Sequence, residues 1–164
     1  MKCGKEQLIW ALLRLSLGWI FFWAFVDKLF GLGFDTAANK SWLAGVSPTF
    51  GFLKFATKGP FTSVYQGIAG SALVDWLFML GLLFVGATLI LGIMVRLGSY
   101  TGILMLILMY TAGFIFPEHN PFLDEHIIYS IVLIGIAASN SGQCLGLGER
   151  WSATKLAQKN KIFQ

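Results

Sequence analysis

Four stretches of this chain are each about twenty residues long and almost wholly apolar, and nothing else in the sequence constrains the fold as strongly. Crossing roughly 30 Å of hydrocarbon takes about twenty such residues as a helix. The windows fall at about 8–27, 75–95, 97–116 and 121–141. The second and third contain no charge in their apolar runs and flank Arg96, while the first is interrupted by Arg14. The fourth turns small and polar through Ser139-Asn140-Ser141-Gly142-Gln143, which blurs its end. Only 12% of the 164 residues are charged, against about 25% in a typical soluble domain. The expectation is an all-α integral membrane protein, a single four-transmembrane-helix bundle over residues 1–164 in contact with the lipid bilayer. Its long outer loop, 28–74, would contain short interfacial helices, and a basic tail would cover 148–164.

Charge orients it. Lys2, Lys5, Arg96, Arg150, Lys155, Lys159 and Lys161 fall on one side of four spans, and Lys28, Lys40, Lys54 and Lys58 are spread through the loop on the other. The positive-inside rule then makes both termini cytoplasmic, in a multi-pass protein of the cell membrane. The first apolar run is followed by Asp27 and Lys28 without a small-residue cleavage site, so it is expected to stay as an anchor. Basic residues at span ends do not form a nucleic-acid surface. Cys3 and Cys144 are read as free thiols on the inner side, lacking any CxxC spacing.

The loop has its own signals. Ser47-Pro48 reads as a helix cap followed by proline at the first helical position. Phe50, Phe52, Leu53, Phe55 and Ala56 continue it until Gly59-Pro60. A second short helix is expected around residues 62–72. Backbone at membrane depth must satisfy its own hydrogen bonds, so this loop is expected to fold over the outer mouth of the bundle. Gly98 and Gly102, Gly81, Gly86 and Gly92, Gly18 and Gly135 are close-approach points. They leave open contacts within the bundle, with a partner, or in a homo-oligomer.

Polar chemistry concentrates in 117–126, which holds both histidines, His119 and His126. Asn120-Pro121 reads as the start of the fourth helix, and Asp124 and Glu125 complement its dipole. Helical spacing places Phe122, His126 and Tyr129 on one stripe, with Glu125 and Tyr129 four apart. His126, tuned by the carboxylate one residue away, could exchange protons near neutral pH. A metal site would draw on His119, His126 and the acids, but H-x6-H matches no standard spacing. A bis-histidine haem would need two inward histidines. No dinucleotide, P-loop or zinc signature occurs, so no metal, haem or flavin is expected. Arg14, a charge inside a span, is a functional hypothesis by default. It can instead snorkel to the inner surface or pair with Glu149 or Asn140. Asp27, Lys28 and Asp75 would form ion pairs at the outer ends.

Leu13-Arg14-Leu15-Ser16-Leu17-Gly18 with Asp27-Lys28 resembles the first helix of the DoxX family of four-helix membrane proteins. Within it, four stretches are similar to DoxD, the membrane subunit of thiosulfate:quinone oxidoreductase. They are residues 47–53, Val74-Asp75-Trp76-Leu77-Phe78-Met79-Leu80-Gly81, Gly92-Ile93-Met94-Val95-Arg96, and Asn120-Pro121-Phe122-Leu123-Asp124-Glu125-His126-Ile127-Ile128-Tyr129. The resemblance implies a subunit that helps oxidise thiosulfate and passes electrons to a membrane quinone, together with a separate DoxA-like second subunit. The expected site residues are then His126, Glu125, Asp124 and Tyr129 for proton handling, with Arg14 as a quinone-associated charge. The rival reading is a non-catalytic membrane anchor for a partner redox protein. A transporter lacks support, since no inverted repeat is evident.

Overall fold

The computed structural model describes residues 3–113, 122–139 and 141–163. Helix α1 (Lys5–Phe30) crosses from the N-terminal end, and α2 (Thr62–Gly67) lies in the loop. Then come α3 (Ala72–Leu91), α4 (Val95–Gly113) and α5 (Glu125–Ala138), with short helices α6 (Gly148–Ser152) and α7 (Lys155–Lys159) after them. α1, α3 and α4 are long and apolar enough to cross a membrane. α5 is apolar but has 14 residues, about 21 Å at 1.5 Å per residue, less than a full hydrocarbon thickness. Its first turn begins at Glu125, with Asp124 as the capping residue, rather than at Pro121. The Asn120-Pro121 start signal lies outside the described residues.

The long helices alternate in direction around a core of Leu17 and Phe21 from α1, Met79, Leu82, Val85 and Leu89 from α3, Leu106 from α4, and Leu133 and Ile136 from α5. Leu77, Leu80, Leu104, Ile131 and Ile134 point outward and are exposed, which a lipid environment tolerates and water does not. The glycines are used inside the bundle. A Cβ on Gly86 would come within 2.7 Å of the Phe22 backbone nitrogen on α1. One on Gly98 would land on Thr88 of α3, and one on Gly135 on the Trp10 ring. Where lipid supplies no hydrophobic drive, this close approach is what holds helices together. The glycine faces therefore serve internal packing.

Gly92, at φ 71°, terminates α3 in the left-handed region, and Met94 follows at φ 51°. This turn ends the helix at Leu91, several residues before the window that hydropathy alone suggested. The basic tail also folds. Ala157 is fully buried and Trp151 Nε1 donates to the Phe163 carbonyl at 2.5 Å.

Cys3 and Cys144 are not free thiols. They form a disulfide, with Cα atoms 5.9 Å apart across a sequence separation of 141. Cys3 precedes α1 and Cys144 follows α5. The antiparallel packing of those helices, seen at Trp10 and Gly135, brings the two residues together at one end.

Residues 31–71 cover the other end. The Trp42 amide donates to the Lys28 carbonyl at 2.9 Å, and the Trp42 and Trp76 rings meet edge-on at 4.6 Å. The Lys58 amide caps α4 at the Ala112 carbonyl, 3.0 Å, and the Tyr65 hydroxyl meets Thr111 Oγ1 at 2.8 Å. Ser47 Oγ accepts from the Phe50 amide at 3.1 Å, the cap expected there. The segment it opens tightens into a π-type turn over Phe52–Ala56, and α2 stops at Gly67. The loop is a folded roof.

Candidate functional site at the roofed end

Asp124 begins the site because of where it stands in the chain. As the residue before α5 it adopts an extended backbone, and its Oδ1 accepts from the Ile127 amide at 3.1 Å, an N-cap bond. Its second oxygen, Oδ2, is then aimed at His126 Nδ1, 2.7 Å away. The side chains of His126 and Asp124 are 21% and 12% exposed, so the pair is shielded without being sealed. In the Nδ1–H tautomer the ring donates to this carboxylate, and Nε2 is then a hydrogen-bond acceptor.

The sequence expectation grouped His126 with Glu125, Asp124 and Tyr129, and the structure pairs its ring with Asp124. Glu125, one residue before His126, is exposed on the first turn of α5. Asp124, two residues before, is held in place by capping and reaches the imidazole. Tyr129 is half-buried against the bundle core. Among the described residues, His126 and Tyr129 share a helix face but no hydrogen bond. Glu118 and His119 lie outside the described residues. The ligand atoms of Asp124, Glu125 and His126 lie within 4.8 Å of one another, enough to touch a cation from one side, with the fourth position of a closed site unsupplied.

Two further carboxylates organise this end. Asp27 is 1% exposed, and its oxygens accept from the amides of Phe34, Asp35 and Thr36 at 3.3, 3.0 and 2.8 Å. Lys28 pairs with Asp35 at 2.5 Å. Asp75 Oδ1 accepts from Ser47 Oγ at 2.8 Å and Thr49 Oγ1 at 2.5 Å. The expected ion pairing of Asp27 and Asp75 is thus replaced by amides and hydroxyls of the roof. The sequence shows acids at helix ends, but not that a loop folds back to hydrogen-bond them.

Arg14 lies at the opposite end, near the close of α5 rather than its start. It does not snorkel: its exposure is 0%. Nη1 donates to the Leu89 and Ile90 carbonyls, the latter at 3.2 Å, and Nη2 to the Cys144 and Leu145 carbonyls at 3.1 and 3.0 Å. Leu89 and Ile90 belong to the last turn of α3, whose carbonyls lack helical donors and carry the negative end of the dipole. Gly92 and Gly146 close around the guanidinium: a Cβ on either would fall 3.1 Å from it. Only Nε is without a partner. The expected Glu149 pairing is replaced by these carbonyls, and Asn140 lies outside the described residues.

The DoxX family model matches residues 9–117. No curated protein and no solved structure matches the chain. With more than half its length matched, the chain belongs to the DoxX family, a family of membrane proteins often associated with quinone oxidoreductases.

Proposed function

For this DoxX-family chain we propose the role of membrane subunit in a thiosulfate (sulfur-compound):quinone oxidoreductase, the role of the DoxD subunit that its motifs resemble. The observation that carries the reading is the His126–Asp124 pair at 2.7 Å, held at the roofed end of a family-typical bundle. In the reaction, the terminal sulfurs of two thiosulfate anions join in a new S–S bond to give tetrathionate. The two electrons released reduce a quinone, which takes up two protons to become the quinol. His126 and Asp124 manage those protons, with Glu125 at the exposed rim and Tyr129 lining the path inward. Electron transfer is completed with a DoxA-like second subunit. Arg14, enclosed by four carbonyls, positions the far ends of α1, α3 and α5 rather than meeting a quinone.

In this reading α5 completes a fourth span together with its flanking residues, and the termini are cytoplasmic by the lysine and arginine bias. The Cys3–Cys144 disulfide then lies at the inner end, where such bonds are rare outside hyperthermophiles. After reduction, labelling with a membrane-impermeant maleimide in inverted vesicles but not in right-side-out ones is the expected result. The opposite pattern would reverse the orientation.

The deciding assay is thiosulfate-dependent quinone reduction in membranes containing the chain, alone and with a DoxA-like subunit. Folded protein with no activity in either arrangement would sink the proposal. The anchor reading differs at His126→Ala. An anchor keeps assembly and turnover, whereas a proton-handling site loses turnover with assembly intact. The glycine faces, which could have served an anchor as docking surfaces, are occupied by the bundle itself.

A further inference from the structure

Between α3, α4 and the roof lies a cavity of about 1020 Å3, at the upper end of the ~300–1,000 Å3 typical of small-molecule sites. Its two ends differ. Towards the bilayer its walls are Leu77 and Phe78 of α3 and Leu104, Met105 and Leu108 of α4. Leu77 is 64% and Leu104 58% exposed, so the cavity opens between these helices to lipid. Towards the roof, Lys28, Asp35, Lys40, Ser47 and Thr49 add polar groups to a lining that also holds Val46, Phe50, Phe52 and Leu53.

Of the three charged residues at the polar end, Lys28 and Asp35 pair with each other and Lys40 stands apart. Lys28 is neutralised by Asp35 at 2.5 Å. Ser47 and Thr49 give their hydroxyl protons to Asp75, which leaves Thr49 Oγ1 with a lone pair as an acceptor. Lys40 is exposed at the rim, and among the described residues nothing pairs with its ammonium. The head of an occupant therefore meets the Lys40 ammonium as a donor and hydroxyls, Thr49 Oγ1 among them, as acceptors. A cationic head would meet the Lys40 ammonium as a like charge, and an anionic head is the alternative that competition by palmitate and phosphatidylglycerol tests. A neutral, hydrogen-bonding head with a long apolar tail fits both ends.

We propose that this cavity, roofed by residues 36–53, is the site that takes a lipid-soluble quinone from the bilayer. A ring carbonyl accepts from the Lys40 ammonium, and the tail runs out past Leu77 and Leu104. The choice of a quinone among neutral amphiphiles rests on the function proposed above; the size, polarity and lipid-side mouth of the cavity do not.

The test uses the purified full-length protein in nanodiscs with a photoreactive short-tailed benzoquinone, cross-linked sites being mapped by mass spectrometry. Labelling is expected on residues 36–53 and on the facing turns of α3 and α4. Unlabelled quinone should compete with it, while palmitate and phosphatidylglycerol should not. Leu104→Trp, which fills the mouth from a lipid-facing position, is expected to cut labelling at least tenfold with unchanged thermal stability. Ile131→Trp, on the lipid face of α5, should leave it intact. Lys40→Met should weaken labelling several-fold. Labelling centred on α5, or equal competition by palmitate, overturns the assignment. So does labelling that ignores Leu104→Trp. The two proposals fail separately. Cavity labelling without thiosulfate turnover removes the sulfur reaction and keeps the site. Turnover without cavity labelling removes the site and keeps the reaction.

Discussion

At the Arg14 end one guanidinium claims four carbonyls and a disulfide ties the same loop to the N-terminus, whereas at the roofed end three carboxylates collect amides, hydroxyls and an imidazole from a long covering loop. The first arrangement is buried and, Arg14 Nε aside, its guanidinium nitrogens are hydrogen-bonded. The second keeps partly exposed groups and a large adjoining cavity. A cation at a helix C-terminus completes that helix and leaves little to titrate or bind. Carboxylates beside hydroxyls and an imidazole leave lone pairs and exchangeable protons. The difference puts the buried ties between helices at one end and the partly exposed polar groups at the other.

The contrast can be broken most forcefully at Arg14. Arg14→Met should leave buried carbonyls without donors, at ~1–3 kcal/mol for each group left unpaired, and the protein should unfold in detergent well before the wild type. A variant as stable as the parent would show that the guanidinium cage is not structural. Reducing Cys3–Cys144 is the next largest change. Its removal is expected to cost about 2–4 kcal/mol, read as a lower midpoint of denaturant unfolding in reductant or in Cys3→Ser.

Packing gives the third test. Gly86→Ala forces a Cβ onto backbone of α1 that cannot swing aside, so a loss of about 1–3 kcal/mol is expected. Gly67→Ala in the roof meets no atom within 4 Å and should leave the melting temperature almost unchanged. If both substitutions behave alike, the helices are not packed at their glycines as described. His126→Ala should change stability least, because the ring is partly exposed and makes one side-chain bond. Turnover, by contrast, should fall about 10²–10⁴-fold if the imidazole transfers protons. Asp124→Asn should lower it less, by weakening the hold on Nδ1 while retaining the cap.

Much of this architecture was legible from the chain itself. Hydrophobic length marked α1, α3 and α4, and Ser47 was identifiable as a cap because a serine before proline and an aromatic run has a local use. The glycine positions were visible too, but not what they touch, since a stripe of small residues looks the same facing another helix or a partner. At the candidate site, His126 stood out as a polar residue at the edge of an apolar run. Its pairing with Asp124 did not, because that depends on which residue becomes the cap, and Asn120 offered an equally good local signal.

The sequence by itself determined a membrane protein of the DoxX family, its long apolar helices and the concentration of polar groups at one helix end, because hydropathy and capping act over a few turns of chain. Tertiary structure alone decided that Arg14 is walled in by carbonyls, that cysteines 141 positions apart are bonded, and that Asp75 lies beneath a roof. Each of these depends on groups distant in the chain meeting in space, and burial reverses what a side chain does. A guanidinium that could have snorkelled to water becomes the cap of another helix once that helix packs over it.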